Sequence, residues 1–185
     1  MCITSQKEAE PGVNKINKRV LIIGLALVVP LLLLLLIGFG FDPHKLESKM
    51  EGTIAPGFVL AGLDGERITL SDLQGKPVVL NFWATWCAPC KYEHPGLVAL
   101  SRQLAGKAHF VGVVFEDEPA VIQKFLDDNG RWGPALLDTH GSASVAYGVT
   151  GIPETFIIDK QGMIAKKFTG PVSPAEILKS LEEHL

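Results

Sequence analysis

From Val20 to Phe41 the chain reads VLIIGLALVVPLLLLLLIGFGF, without one charged residue. As a helix this stretch reaches roughly 33 Å, enough to cross a hydrocarbon core of about 30 Å. Pro30 is compatible with that, because membrane helices tolerate proline. A helix buried in a soluble core is rarely apolar on every side for so long. The run also exceeds the roughly 7–15 apolar residues of a cleaved signal peptide, and the following GFGFDPH offers no small-x-small cleavage site. An uncleaved signal anchor is therefore expected. Lys7, Lys15, Lys18 and Arg19 precede the run, whereas Lys45 and Lys49 follow it. The positive-inside rule then leaves the N-terminus in the cytoplasm and the rest outside. The predicted layout is a cytoplasmic tail at 1–19, a transmembrane anchor at 20–41, a polar tether at 42–52 and one domain at 53–185.

Composition narrows what that domain does. The chain carries a formal net charge of −3, so no basic excess exists to neutralise nucleic-acid phosphates. Hydrophobic residues at 47% and charged residues at 20% exclude a wholly disordered chain. Three cysteines are too few for a disulfide-stapled scaffold or a four-thiolate zinc site.

Within the domain, Phe58 and Leu60, the turn Asp64-Gly65, and Ile68 and Leu70 describe a β-hairpin. Pro77 to Trp83 (PVVLNFW) reads as a central strand covered on both faces. A helix is predicted from near Cys87 to about Ala105, with Leu97, Leu100 and Leu104 as its core stripe and a kink at Pro95. Phe110 to Phe115 is a second core strand. Val121, Ile122, Phe125 and Leu126 mark one face of a helix ending near Asn129-Gly130. Ala135 to Leu137 forms a short strand. Thr155 to Ile158, a turn at 159–162 and Met163 to Phe168 form a second hairpin. Ser173, Pro174 and Glu176 open a final helix with a capping box, and Ile177, Leu178, Leu181 and, at its end, Leu185 are its expected buried side. A βαβ unit followed by a hairpin and a helix argues for an α/β sandwich around a mixed sheet.

The chemistry lies at Trp86-Cys87-Ala88-Pro89-Cys90, where a strand has just ended and a helix begins. Amide N–H groups at a helix start stabilise negative charge, so Cys87 should ionise more readily than a free thiol. Cys90 lies one turn inward. Cys87 is thus the expected attacking thiolate and Cys90 the resolving thiol, with exchange through a mixed disulfide. A zinc site would need two further ligands, and the histidines are scattered. A static disulfide closing so short a loop would add little stability on the loop-entropy account. The strand–CxxC–helix context favours redox exchange over both.

VVLNFWATWCAPC resembles thioredoxin-like proteins. Ala55-Pro56-Gly57-Phe58, Leu63-Asp64-Gly65 and the stretch from Leu70 to Pro77 resemble the opening hairpin of the extracytoplasmic TlpA/ResA-type group. Glu93-His94-Pro95 and the stretch from Tyr147 to Asp159, which contains Pro153-Glu154-Thr155-Phe156, resemble the CcmG/DsbE branch, which works in cytochrome c maturation. The resemblance covers nearly all of 53–185 plus the anchor. It implies a thioredoxin-like three-layer sandwich around a mixed sheet with an N-terminal β-hairpin. It also implies a cis Pro153 beside the disulfide, with Gly151 and Ile152 offering backbone groups to an extended substrate. Glu93 and Glu154 are implied to approach the dithiol, where a carboxylate disfavours thiolate and accepts a proton from Cys90. Asn81 stands where cytoplasmic thioredoxins usually carry a buried acid, which makes those glutamates more necessary. Trp86 is expected to cover the disulfide and meet partners, and Trp83 to sit in the core. His94 is expected on the helix surface, and Glu116-Asp117-Glu118 in a solvated loop. Tyr92 and Tyr147 carry no separate signal.

The function these readings imply is a membrane-anchored thiol–disulfide oxidoreductase that reduces disulfides outside the cytoplasm, without cofactor or metal. Its client would be apocytochrome c or a maturation protein presenting it. A transmembrane electron donor of the CcdA/DsbD type is implied, because an oxidising compartment cannot keep the dithiol reduced. The alternatives are a ResA/TlpA-like reductase for another client, such as a copper-site protein, and a non-catalytic copper carrier using Cys87, Cys90 and a histidine such as His140. A peroxiredoxin needs Thr or Ser three residues before its cysteine, where Ala84 stands.

Overall fold

A computed structural model of the chain describes residues 17–39 and 50–185. The tail at 1–16, with Cys2, and most of the tether lie outside the described residues. The chain divides into two units, the first ending at Lys45 and the second beginning at Leu46. The first contains helix α1, Lys18–Phe39, with Pro30 inside it. Its apolar side chains from Leu21 to Leu34 are exposed. Among the described residues no helix is long and apolar enough to cross a membrane, the side chains of α1 being described only over part of its length.

The second unit is built on a seven-stranded sheet. Its strands are β1 (Val59–Gly62), β2 (Arg67–Thr69), β3 (Val78–Trp83), β4 (His109–Val114), β5 (Ala135–Leu137), β6 (Glu154–Ile158) and β7 (Ile164–Thr169). Its helices are α2 (Ala88–Gln103), α3 (Pro119–Asn129), α4 (Ser142–Ala146) and α5 (Pro174–Glu182). The spatial strand order is β2-β1-β5-β4-β3-β6-β7. The β3–β4 and β4–β5 pairs are parallel, and the others antiparallel. The sheet is therefore mixed, with the βαβ crossover at its centre and a hairpin at each edge.

Each element has a local cause. The first hairpin turns at Asp64-Gly65, where Gly65 takes φ +82° and the Asp64 carboxylate accepts from the Glu66 amide. Only glycine adopts that φ without strain. All six residues of β3 are buried, as a strand covered on both faces requires. Alternate residues of β3 serve different layers. Val79 and Trp83 join Leu97 and Leu100 of α2, Ile122 and Leu126 of α3, and Ile177 and Leu181 of α5. Val78, Leu80 and Phe82 join Phe58, Leu70, Leu73, Tyr147 and Phe156. Ser173 caps α5 by accepting from the Glu176 amide, and the Glu176 carboxylate in turn accepts from the Ser173 amide. Leu185, expected on the buried side, lies past the end of α5 and is 40% exposed. Helix α4 and a single 3-10 turn at Leu70–Leu73 have too few residues for a periodic apolar pattern to mark them.

His94 departs from its expected surface position. It is only 2% exposed, packed edge-on to Phe125 with ring centroids 4.8 Å apart. Its Nδ1 lies 3.3 Å from Trp132 Nε1 and its Nε2 lies 2.9 Å from the Gly130 carbonyl oxygen. An indole nitrogen only donates and a carbonyl only accepts. The ring is therefore neutral, with its proton on Nε2. Gly112 lies opposite: a Cβ there would come within 2.6 Å of Trp83 Nε1 and 2.8 Å of the Trp132 ring. The missing side chain is what lets two indoles lie over β4.

Burial pulls the His94 pKa below its ordinary 6.5, outweighing the carbonyls that favour the charged ring. The unfolded chain then binds a proton that the folded one refuses. Stability is complete above the unfolded value and falls as pH drops below it. His94→Gln keeps one acceptor and one donor but does not titrate. Its unfolding free energy, measured by urea titration at several pH values, should show a shallower loss below about pH 6.5 than that of the unmodified chain. Ser173→Ala should lower stability by about 1 kcal/mol near neutral pH, measured by the same urea titration, through loss of the cap.

Candidate active site

β3 ends at Trp83 and α2 begins at Ala88, so the short connection carries the cysteines into the helix start. Cys87 is the residue that caps α2: its Sγ accepts from the Cys90 amide at 3.2 Å. Pro89 sits in the first turn, where its missing N–H leaves nothing unpaired. Cys87 and Cys90 are joined, with S–S 2.08 Å and Cα–Cα 5.3 Å. Both are buried, Cys87 with 5% and Cys90 with 3% of their surface exposed. The Ile152–Pro153 peptide bond is cis, and the Ile152 carbonyl oxygen lies 3.6 Å from Cys87 Sγ. Gly151 is exposed and Ile152 half-buried, so this backbone edge lies open beside the sulfur.

Trp86 is 57% exposed, and its position is fixed from behind. Its Nε1 donates to the Glu116 carbonyl at 3.0 Å, and the preceding Thr85 amide donates to Asp117 Oδ2 at 2.6 Å. The acidic run is thus the support of the Trp86 segment as well as a solvated loop. Glu116 holds a left-handed φ of 43° to make that contact. A groove of about 510 Å³ opens next to Trp86 and is lined by Glu116, Asp117, Glu118 and Leu137 among others.

The register of β3 against β6 decides which carboxylate faces the dithiol. Asn81 lies opposite Thr155, and Phe82 lies opposite Glu154. Directly paired residues share a face. Asn81 therefore points, like Trp83, toward α2 and the cysteines. Its Nδ2 donates to Glu93 Oε1 at 2.8 Å and to Thr155 Oγ1 at 2.9 Å. The other Glu93 oxygen accepts from the Val172 amide at 3.0 Å. Glu93 is buried one turn after Cys90 on α2, on the dithiol's side of the sheet. Burial raises its pKa, and the bonds from Val172 and Asn81 only partly offset that.

Asn81 Oδ1 is buried with no partner. A carboxylate needs a donor here and a carboxylic acid needs an acceptor. Rotating the Asn81 amide by half a turn would offer Oδ1 to a protonated Glu93, with the Thr155 hydroxyl reversing its role. The pair can therefore hold either protonation state.

Glu154 does not join this group. The sequence expectation brings it to the dithiol with Glu93, but its register sends it to the opposite face, with Phe82 and Phe156. There it is fully buried. Its Oε1 accepts from the Thr150 amide at 3.1 Å and the Thr150 hydroxyl at 3.0 Å, and its Oε2 pairs with Lys167 Nζ at 2.7 Å. Lys167 also donates to the Gly148 carbonyl and lies 5.0 Å from the centre of the Phe156 ring. Leaving one member of such a pair buried alone costs about 3–5 kcal/mol.

Sequence reasoning missed Thr155, Val172, Thr150 and Lys167. The one available signal was Asn81 itself, a polar residue inside an otherwise apolar strand. Among the described residues, no group of three or more His, Cys, Asp and Glu is placed to hold a metal ion.

Residues 52–167 match the AhpC/TSA family. The chain is 36% identical over 153 residues to the thiol-disulfide oxidoreductase ResA of Bacillus subtilis (strain 168), spanning 80% of this chain and 86% of that protein. It is 37% identical over 155 residues to the thiol:disulfide interchange protein DsbE of Pseudomonas fluorescens biotype C, spanning 79% and 85%. The crystal structure of a thiol:disulfide interchange protein of the thioredoxin family from Chlorobium tepidum TLS superposes with a TM-score of 0.66 at 27% identity, over 74% of this chain and 99% of that one. The chain belongs to the AhpC/TSA family, and within its thioredoxin-like members it is a thiol–disulfide oxidoreductase of the ResA/DsbE type.

Proposed function

We propose that this oxidoreductase is a reductant, anchored in the cytoplasmic membrane by residues 20–41, with its domain at 53–185 on the periplasmic or extracytoplasmic side. The uncharged apolar run and the excess of positive charge before it support the anchor and its direction. The observation that carries the reducing role is the buried Glu93 one helical turn beyond Cys90. A carboxylate there disfavours thiolate, so the reduced couple gains less stabilisation and gives up its electrons more readily.

In the reaction, the Cys87 thiolate attacks one sulfur of a client disulfide, forming a mixed disulfide and releasing the other sulfur as thiolate. Cys90 gives its proton to Glu93 and attacks Cys87 Sγ. The second client thiolate leaves and the Cys87–Cys90 disulfide forms, which is the state seen here. Two electrons from a dithiol donor, of the membrane-embedded CcdA/DsbD type, restore the pair. Trp86, Gly151, Ile152 and Pro153 form the edge along which the client lies. The similarity of the Glu93-His94-Pro95 and Pro153-Glu154-Thr155-Phe156 segments to the CcmG/DsbE branch supports apocytochrome c, or a maturation protein presenting it, as the client.

A Cys90→Ser variant cannot resolve the mixed disulfide and should accumulate it. Mass spectrometry of the trapped species should identify a cytochrome c maturation client; a copper-site protein in its place would move the chain to another pathway. In intact cells, a membrane-impermeant thiol reagent should label Cys87 of the reduced protein, and protection until lysis would place the domain in the cytosol. Glu93→Gln should lower the Cys87 thiol pKa and raise the redox midpoint by about 30 mV, tenfold in the exchange constant. An unchanged redox titration would remove Glu93 from the mechanism.

A further inference from the structure

We infer that Glu154 is a positioning residue for the client: with Lys167 it fixes the Thr150–Ile152 backbone against Cys87 from the opposite side of the sheet. The inference rests on the functional reading above, in which the client lies along Gly151 and Ile152.

The geometry is specific. Glu154 follows the cis Pro153 directly, so its backbone belongs to the substrate edge while its side chain passes to the other face. There one carboxylate oxygen takes both the amide and the hydroxyl of Thr150, immediately before Gly151. The other oxygen holds Lys167. Lys167 stands on β7 opposite Phe156, and its ammonium also binds the Gly148 carbonyl. The residue just past β7 in turn holds the far end of this segment, where the Gly170 amide donates to the Pro153 carbonyl at 2.9 Å. Thr150 is otherwise an exposed residue of a loop, and the two bonds to Glu154 are what tie it down. The loop that places Ile152 O 3.6 Å from the attacking sulfur is thus tied at 148, 150 and 153. A client disulfide held by this backbone edge depends on those ties. The acid–base state of the dithiol does not, because the carboxylate lies beyond the sheet and Glu93 supplies the carboxyl on the near side.

The test uses the full chain in detergent, reduced by dithiothreitol, with two oxidised substrates. One is a synthetic extended peptide closed by a disulfide, and the other is the small disulfide dithiobis(nitrobenzoate). Glu154→Gln and Thr150→Val are compared with the unmodified chain. The peptide KM should rise about tenfold in both variants, the size expected for one or two weakened backbone hydrogen bonds to the substrate. The peptide kcat, the rate with the small disulfide, and the pH profile of Cys87 alkylation should stay unchanged. A displaced alkylation profile, like that expected of Glu93→Gln, would overturn the inference by making Glu154 part of the dithiol's proton chemistry. An unchanged peptide KM, or equal losses on both substrates, would overturn it too. Thr150→Val removes one hydroxyl and leaves the buried ion pair intact, so it carries the test if Glu154→Gln does not fold. Failure of the unmodified chain to reduce the peptide would instead sink the functional reading itself.

Discussion

The antiparallel pairing of β3 with β6 governs the chemistry of this domain. One residue pair, Asn81 with Thr155, faces the cysteine helix, and the next pair, Phe82 with Glu154, faces away. A slip of one residue would exchange the faces. It would bring Glu154 toward the dithiol and send Thr155 into the aromatic layer of Phe82, Tyr147 and Phe156. The register is held against that slip by apolar residues on both sides of β3 and β6, all of them buried. Placement of the reactive groups is therefore a by-product of core packing.

Against that sheet stands a short chain of polar contacts: Thr155, Asn81, Glu93 and the Val172 amide. It joins β6 and β3 to α2 and to the segment before α5. Burying a carboxyl is expensive unless it is hydrogen-bonded. Here two donors reach Glu93, yet its pKa remains raised. The site thus holds a carboxyl closer to neutral pH than an exposed one, which suits it for passing a proton. Asn81 in the place of a second acid avoids setting two buried negative charges side by side.

Much of this was legible in the sequence. The central strands, the cysteine pair at the helix start and the capping box of α5 all have local signatures, and each element lies where its signature puts it, to within a residue or two. The Asp-Gly turn was equally direct. What could not be read is what depends on register and tertiary contact. Nothing local distinguishes Glu93 from Glu154 as partners of the dithiol, since one follows from helical spacing and the other from strand pairing. His94 looked like a surface residue because its partners, Trp132 and Gly130, lie on a distant loop. Helix α4 escaped notice because it is short, and the role of Asp138, which accepts from the Ala143 and Ser144 amides at its start, has no local signature.

The near-complete enclosure of the attacking sulfur has a consequence for who can be served. In the oxidised state 5% of Cys87 is open, beside the cis Ile152–Pro153 peptide edge, so a partner reaches the sulfur by a narrow approach. A disulfide on an extended, accessible segment meets that opening more readily than one packed inside a folded domain.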